Sequence, residues 1–211
     1  MKEMNEAMLD GLRARVSQRM SPKRFYHTAA VEQMICRLCG LYCPEKELVM
    51  RSAALLHDIT KELKTDEQLL LCRRYGLGVT PIDLLSPKTF HARTAAALIP
   101  NEFEEFADPT VIDAVRYHTT GRADMTLTEK LLYLADYIDD SRTFESCVTL
   151  RNFFFAAEPE KMDSGEKLLH LNKTLLLSFD MTIKDLLEEG RIVAADTVNA
   201  RNSILSEIAN G

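Results

Sequence analysis

The chain has 211 residues, of which 46% are hydrophobic and 27% are charged, and its formal net charge is −6. This length and composition are typical of one soluble globular domain that buries its core without cross-links. The acidic balance argues against a nucleic-acid partner, and no stretch approaches the ~18 apolar residues that a membrane span requires.

The cysteines predict a reducing compartment. Their number, five, is odd, and the polar N-terminus lacks the apolar segment of a secretory signal. We therefore expect a cytoplasmic protein with free thiols. Cys36, Cys39 and Cys43 follow helical spacing. A structural zinc site would need a fourth ligand and usually a knuckle turn, so the spacing favours small core residues on a helix.

The periodic segments predict an all-α fold, because no alternating strand pattern occurs and glycine and proline lie mostly between the segments. Ser21-Pro22 and Asp108-Pro109 are helix-start signals. A break or bend is expected in the ninth helix near Asp180, and residues 76–88 are expected to form a loop with one helical turn. The predicted helices cover residues 4–19, 22–41, 45–57, 67–75, 91–99, 109–118, 126–138, 144–157, 164–189 and 196–209.

Residue types that bind metal ions lie at the ends of several predicted helices. A single histidine is more often a surface or core residue, but four of the five histidines flank helix ends, and only His170 is expected to be structural. An aspartate among leucines is costly unless it is paired or coordinates a metal. Imidazole and carboxylate donors at the mouth of a helical bundle suit Fe, Mn, Zn, Ni or Co. The candidate ligands are His27, His57, Asp58, His91, His118 and Asp136.

Five local strings carry a family resemblance. They are RFYHT at 24–28, ALLHDITK at 54–61, AVRYHTTGR at 114–122, EKLLYLADYI at 129–138 and DTVNARN at 196–202. Over roughly residues 20–205 the chain resembles the YqeK family of HD-domain metal-dependent phosphohydrolases. The resemblance implies a single-domain HD-type helical bundle with an iron-containing centre. It also implies symmetrical hydrolysis of bis(5′-nucleosyl) tetraphosphates, chiefly diadenosine tetraphosphate to two ADP.

This resemblance suggests a role for each candidate ligand. We expect one metal ion to be held by His27, His57, Asp58 and Asp136. Asp58 would bridge to a second ion, held by His91 and His118. One or two iron ions are expected, with manganese or another divalent transition metal as the alternative. The expected catalytic residues are Asp58, Lys61, His91 and His118.

Cations and a polar loop are expected to bind the substrate phosphates. Lys61 lies one helical turn beyond Asp58, and a short loop follows His118. The base of the nucleotide would stack against residues 153–155 or 179–184. The expected substrate-binding residues are Lys61, His118, Thr119, Thr120, Gly121, Arg122 and Arg142.

Two alternatives stay open: an HD phosphohydrolase that acts on mononucleotides, and a non-catalytic nucleotide-binding sensor. A binding module would be expected to lose Asp58 or Asp136, and both are present. We expect residues 21–211 to form the HD-type domain. Residues 1–20 are expected to form an N-terminal helix for packing or for dimerisation, which would make the protein a homodimer.

Overall fold

Helices account for the architecture of residues 4–210, which are the residues that the computed structural model describes. No β-strand occurs within this range, so the all-α prediction is confirmed. Short 3₁₀ turns lie in several of the connections. The ten α-helices of this range, α1 to α10, are Glu6–Ser17, Pro22–Tyr42, Glu47–Leu56, Thr65–Arg74, Phe90–Glu102, Pro109–Tyr117, Leu127–Ile138, Glu145–Ala156, Ser164–Glu188 and Ala195–Asn210.

Polar caps determine where several helices begin. The Ser21 hydroxyl accepts a hydrogen bond from the Arg24 amide, and Asp108 accepts one from the Thr110 amide at 2.7 Å. Thr126 and Glu129 form a capping box at the start of α7. These caps satisfy amide groups that have no partner inside the helix. The helix-start signals at Ser21-Pro22 and Asp108-Pro109 are therefore confirmed.

The core lies between α2, α3, α6 and α7, which pack against one another. Leu55 and Leu56 on α3 and Leu131 and Leu134 on α7 are fully buried there. Helix α5 packs on α6, and α4 packs on α5. Helix α8 packs on α7 and on α9, which pairs with α10. The ends of α3 and α6 and the start of α5 therefore open on the same side of α2 and α7.

Helix α9 differs from its prediction. It runs continuously from Ser164 to Glu188, so of the break or bend expected near Asp180 the break does not occur. Leu171, Leu175 and Phe179 are buried at successive i, i+4 positions, and this apolar row keeps the helix packed on the core. A polar residue in the next turn does not break a helix whose apolar face continues.

Helix α1 contributes to the same core. Leu9, Leu12 and Val16 are at most 1% exposed and belong to the central apolar cluster. The apolar face of this helix therefore packs against the core of its own chain. The predictions for Met1, Lys2, Glu3 and Gly211 lie outside the described residues.

The cysteines are all free thiols. Of the three cysteines at helical spacing, Cys39 is buried in the core on α2, as predicted, and Cys43 is buried directly after the helix ends. Cys36 is only half-buried, so its prediction as a core residue is wrong. Among residues 4–210, no helix has both the length and the apolar character needed to cross a bilayer.

Candidate metal centre

The six predicted metal ligands lie together in one buried cluster. His27 comes from the second turn of α2 and Asp136 from α7, while His57 and Asp58 directly follow α3. His91 lies in the first turn of α5, and His118 follows the last residue of α6. The convergence of helix ends that the sequence predicts is therefore present in the fold.

Two triplets within the cluster have spacings suited to a metal ion. One is His27, His57 and Asp136, and the other is His57, Asp58 and His118; within each triplet one ligand atom per residue lies within 4.8 Å of the others. His91 lies outside both triplets. Its Nε2 is 3.0 Å from His118 Nε2 and 3.3 Å from Asp58 Oδ1.

The Asp58 carboxylate lies between the two sides of the cluster. Its Oδ2 is 3.5 Å from His57 Nε2 and 3.9 Å from His27 Nε2. Its Oδ1 faces the other way, 3.6 Å from His118 Nε2 and 3.3 Å from His91 Nε2. Asp58 thus presents one oxygen to each side.

Backbone carbonyls orient three of the imidazoles. His57 Nδ1 donates to the Ala54 carbonyl at 2.6 Å, His91 Nδ1 to the Lys88 carbonyl at 2.7 Å, and His118 Nδ1 to the Val115 carbonyl at 2.7 Å. Because a carbonyl oxygen only accepts, Nδ1 carries the proton in each neutral ring. Each Nε2 then points a lone pair into the cluster, which is the arrangement found in metal-binding histidines.

The cluster contains acceptors that no donor satisfies. His57 Nε2 and Asp58 Oδ1 are buried and have no hydrogen-bond partner among residues 4–210. A buried acceptor without a partner costs about 1–3 kcal/mol, and more when it is charged. A cation at the centre would satisfy both atoms. The residues therefore fit a transition-metal ion bound by imidazole nitrogens and carboxylate oxygens.

The charges of the cluster favour ionised carboxylates. Burial raises the pKa of Asp58, but the neighbouring histidines outweigh it and hold this pKa well below its usual range. Burial likewise raises the pKa of Asp136, and Arg142 and His27 outweigh it. Burial lowers the pKa of His27, but hydrogen bonds to Asp136 and Asp139 raise it to about 9. Both aspartates are thus anionic and available to a cation.

Three basic side chains approach the cluster. Lys61 Nζ lies 3.0 Å from His91 Nε2 and 4.0 Å from Asp58 Oδ1, and burial lowers its pKa. Arg142 donates to Asp136 Oδ1 at 2.5 Å. Arg24 donates to Asp58 Oδ2 at 2.7 Å. The positions of Lys61 and Arg142 agree with the predicted phosphate-binding role, whereas Arg24 was not predicted to belong to the site.

Two further residues, Asp139 and Ser141, were not predicted to belong to the site and orient the His27 ring. Its Nδ1 lies 3.3 Å from Asp139 Oδ2 and 3.2 Å from the Ser141 hydroxyl. Asp139 is fully buried. Spacing along the chain is the signal that could have indicated these residues. Arg24 precedes His27 by three residues, and Asp139 follows Asp136 by three. This spacing places each pair on one helical face or its extension.

An open cavity of about 290 Å³, called here the metal cavity, borders the cluster. Aromatic side chains form part of its wall, and one of them, Phe144, is 69% exposed. The lining residues are Lys61, His118, Thr119, Tyr133, Asp136, Tyr137, Arg142, Phe144, Ser146, Cys147 and Thr182.

The side chains of the loop after His118 point in two directions. The Thr119 hydroxyl lies 3.0 Å from His91 Nε2, beside the cluster. Arg122 instead pairs with the buried Glu129 at 2.8 Å and does not line the metal cavity. Thr120 also lines other cavities and not this one.

Gly121 has a packing reason to be glycine. Its φ is 64°, and a Cβ there would lie 2.8 Å from the Phe179 ring and 2.9 Å from Ala200. Its amide already donates to the Tyr117 carbonyl. The described geometry therefore leaves this amide no free hydrogen for a phosphate.

Of the two segments predicted to stack against the base, only one contributes to the metal cavity. Thr182, from residues 179–184, lines the metal cavity, whereas residues 153–155 do not. Phe153 and Phe154 pack against His170, whose Nε2 is 2.9 Å from the Phe154 carbonyl. His170 is thus a structural residue of the α8–α9 interface, as predicted.

Comparisons with known proteins agree with this geometry. The family model described as HD domain matches residues 24–140. A protein of Bacillus subtilis named "Bis(5'-nucleosyl)-tetraphosphatase, symmetrical" is 30% identical over 191 residues, which cover 90% of this chain and 94% of that protein. A protein of the same name from Staphylococcus aureus is 33% identical over 140 residues, 65% of this chain and 70% of that protein.

A solved structure has a similar fold. It is described as the crystal structure of a predicted HD superfamily hydrolase involved in NAD metabolism from Clostridium acetobutylicum. The TM-score is 0.79 and the identity is 31%, over 97% of this chain and the whole of that one. The similarity therefore extends beyond the region that the family model matches.

Proposed function

This chain belongs to the HD domain family, and within it to the symmetrical bis(5′-nucleosyl)-tetraphosphatases, and we propose from this that it hydrolyses dinucleoside tetraphosphates into two nucleoside diphosphates. With diadenosine tetraphosphate the products are two ADP. The bond between the central bridging oxygen and one of its two phosphorus atoms breaks, and the water oxygen joins that phosphorus. The bridging oxygen leaves as a terminal oxygen of the second diphosphate, and the two protons of the water go to the products or to solvent. The reaction requires a bound metal.

One structural observation carries the proposal: buried acceptors without a partner belong to a cluster that borders a cavity lined by cations. His57 Nε2 and Asp58 Oδ1 need a positive charge, and Lys61 and Arg142 line the adjoining metal cavity. An overall acidic protein would repel a polyphosphate, so local cations must supply the attraction. A site with this arrangement suits a polyanionic substrate whose reaction needs charge neutralisation.

We assign the metal to His27, His57, Asp58, His91, His118 and Asp136. A transition-metal ion bound there acts as a Lewis acid that acidifies water and polarises phosphate oxygens. Asp58, with one oxygen towards each side, is the candidate bridge if two ions bind. Iron is the proposed ion, because the family resemblance implies it and the nitrogen and oxygen donors suit it.

The chain's own residues position the substrate. Lys61 and Arg142 line the metal cavity and are placed to neutralise phosphate oxygens, and the Thr119 hydroxyl is placed to donate to one. Ser141 and Asp139 hold the His27 ring by its Nδ1, and backbone carbonyls hold the other three rings. This preorganisation keeps every Nε2 directed inward before any ligand arrives.

Reducing conditions are part of the proposal. All five cysteines are free and four of them are buried, which supports a cytoplasmic location. The metal content of protein purified without oxygen, measured by plasma mass spectrometry, tests iron against manganese and zinc.

The activity is tested by incubating the purified, metal-loaded protein with diadenosine tetraphosphate and separating the products. We expect ADP alone. ATP with AMP would mean asymmetric cleavage and would contradict the proposal. Turnover of ATP with none of the dinucleotide would favour the mononucleotide phosphohydrolase, and tight ADP binding without turnover would favour the sensor.

A further inference from the structure

A second cavity adjoins the metal cavity. It has a volume of about 160 Å³, is called here the side cavity, and shares Thr119 and Thr182 with the metal cavity. It lies between the C-terminal part of α9, the connection to α10 and the segment before α5. The two cavities therefore meet beside the metal cluster, next to the Thr119 hydroxyl.

The side cavity combines an apolar wall with a cation. Leu186, Ile192 and Ala194 form the apolar part. Lys88 and Arg191 also line it. Arg191 pairs with Glu189 at 2.9 Å, whereas the Lys88 ammonium group makes no ion pair or hydrogen bond with any residue between 4 and 210. An apolar cleft beside an unpaired cation suits a nucleoside with its adjoining phosphate.

The metal cavity offers the same combination on its own side. Phe144 and Tyr137 supply aromatic surface for a base, and Arg142 supplies the cation. Two regions that each suit a nucleoside and a phosphate thus flank one metal cluster. The proposed substrate has the corresponding shape, because two identical nucleosides flank a chain of phosphates that is cut at its midpoint.

We propose that the metal cavity and the side cavity hold the two nucleoside ends of one dinucleoside tetraphosphate, with the phosphate chain crossing at Thr119. This inference rests on the proposed function and adds the residues that recognise a dinucleotide. Binding of both nucleosides centres the phosphate chain of the substrate on the metal cluster. Binding energy from groups far from the reacting bond then determines which bond is cut. A mononucleotide fills one cavity and forgoes the other.

A third cavity, of about 300 Å³, is a weaker candidate for the second nucleoside. It shares no lining residue with the metal cavity. Two of its three arginines are already paired, Arg93 with Asp83 and Arg122 with Glu129. Of these two cavities, the side cavity is the better candidate, because it shares Thr119 and Thr182 with the metal cavity.

The test replaces the apolar wall without adding charge. Leu186→Gln, Ile192→Gln and the double variant change the side cavity, and Leu187→Gln is the matched control, because Leu187 is 65% exposed and does not line it. Both glutamines on α9 preserve helix propensity. Ile192 is 38% exposed, so its variant does not depend on repacking a core. Thermal unfolding verifies that each variant folds.

Two constants are measured for each protein. They are the KM for diadenosine tetraphosphate and the competitive inhibition constant of adenosine tetraphosphate, which has a single nucleoside. In the double variant we expect KM to rise about tenfold, because the loss of apolar contacts equivalent to a few methylene groups weakens binding by about this factor. The inhibition constant should change less than about twofold, since the single nucleoside can use the metal cavity. The control should keep the wild-type values of both constants.

The outcomes separate the two proposals. Wild-type turnover with an unchanged KM in the double variant overturns the two-cavity inference and leaves the proposed function standing. An equal rise of both constants also overturns it, because the side cavity would then bind a feature common to both ligands. Absence of turnover in the wild type overturns the proposed function and the inference that rests on it.

Discussion

Two buried carboxylates in this protein have opposite surroundings. Glu32, on α2, is 5% exposed and accepts hydrogen bonds from Arg13 at 2.8 and 2.5 Å and from Arg51 at 3.1 Å. Asp58 is 2% exposed and accepts from Arg24 through Oδ2, while its Oδ1 has no donor among residues 4–210. One carboxylate is fully satisfied by the fold, and the other is satisfied only in part.

The difference distinguishes a structural ion pair from a binding site. A buried charge must be compensated, and Glu32 obtains its compensation from its own chain. The atoms nearest to Asp58 Oδ1 are His91 Nε2 and His118 Nε2, at 3.3 and 3.6 Å, and with the ring proton on Nδ1 neither nitrogen donates to it. Folding therefore leaves a deficit of positive charge at Asp58 that a metal ion can fill. The same residue class stabilises the fold in one place and binds a ligand in the other.

The largest expected effect comes from Asp58→Asn. The variant should lose bound metal, and kcat should fall about a thousandfold or more, because several kcal/mol of charge stabilisation depend on the ion. In the absence of metal its free energy of unfolding should fall only modestly, because Arg24 alone loses its charged partner. Metal analysis, product formation and thermal unfolding measure the three effects.

The control for that variant is Asp140→Asn, because Asp140 lies near the site but is 69% exposed. It should keep both metal and activity. Full metal content in Asp58→Asn would contradict the assignment of Asp58 as a ligand.

Glu32→Gln should show the reverse pattern. Removing this charge leaves Arg13 and Arg51 without their buried partner, and we expect the free energy of unfolding to fall by about 3 kcal/mol. Metal content and kcat should stay near wild type below the unfolding transition. Urea unfolding measures the loss, with the exposed Glu45→Gln as control. A loss of activity without a loss of stability would remove the contrast between the two carboxylates.

Removing the metal tests the contrast between Asp58 and Glu32 in the wild-type protein. At free metal about a hundredfold above Kd, binding should contribute about 2.7 kcal/mol to stability, or several degrees in Tm. A chelator should therefore lower the Tm of the wild type and of Glu32→Gln by similar amounts. It should leave the Tm of Asp58→Asn unchanged. A chelator shift in Asp58→Asn equal to that of the wild type would show that the metal binds elsewhere.

An exposed carboxylate should give the smallest effect. Glu62 accepts from the Ser21 hydroxyl at 2.5 Å and from the Ser21 amide at 2.7 Å, and these hydrogen bonds lower its pKa below 4.5. A lowered pKa in the folded state contributes stability above the unfolded pKa and loses it as pH falls through the folded pKa. Glu62→Gln should cost less than about 1 kcal/mol at pH 7.

The stability difference between wild type and Glu62→Gln should shrink as the pH falls below 4.5. Thermal unfolding from pH 7 to pH 3 measures it, with the exposed Glu160→Gln as control. A difference that grows as the pH falls would give the wrong sign for a lowered pKa.

Local signals in the sequence determined the helices and the set of candidate ligands. Capping residues such as Ser21, Asp108 and Thr126 act on amides two or three residues away, so their effect can be read from the chain. Apolar periodicity gave the core faces in the same way. Histidine and aspartate at helix ends indicated a shared site, because helix ends meet at the mouth of a bundle.

Only the tertiary structure decided how those residues face one another. Arg24 reaches Asp58 across 34 positions, and Arg122 turns away from the cluster to pair with the buried Glu129. The direction of each side chain depends on which helices pack together, and spacing along one helix does not contain that information. The sequence therefore determined which donors were available, and packing decided that Asp58 Oδ1 and His57 Nε2 would be left without a partner.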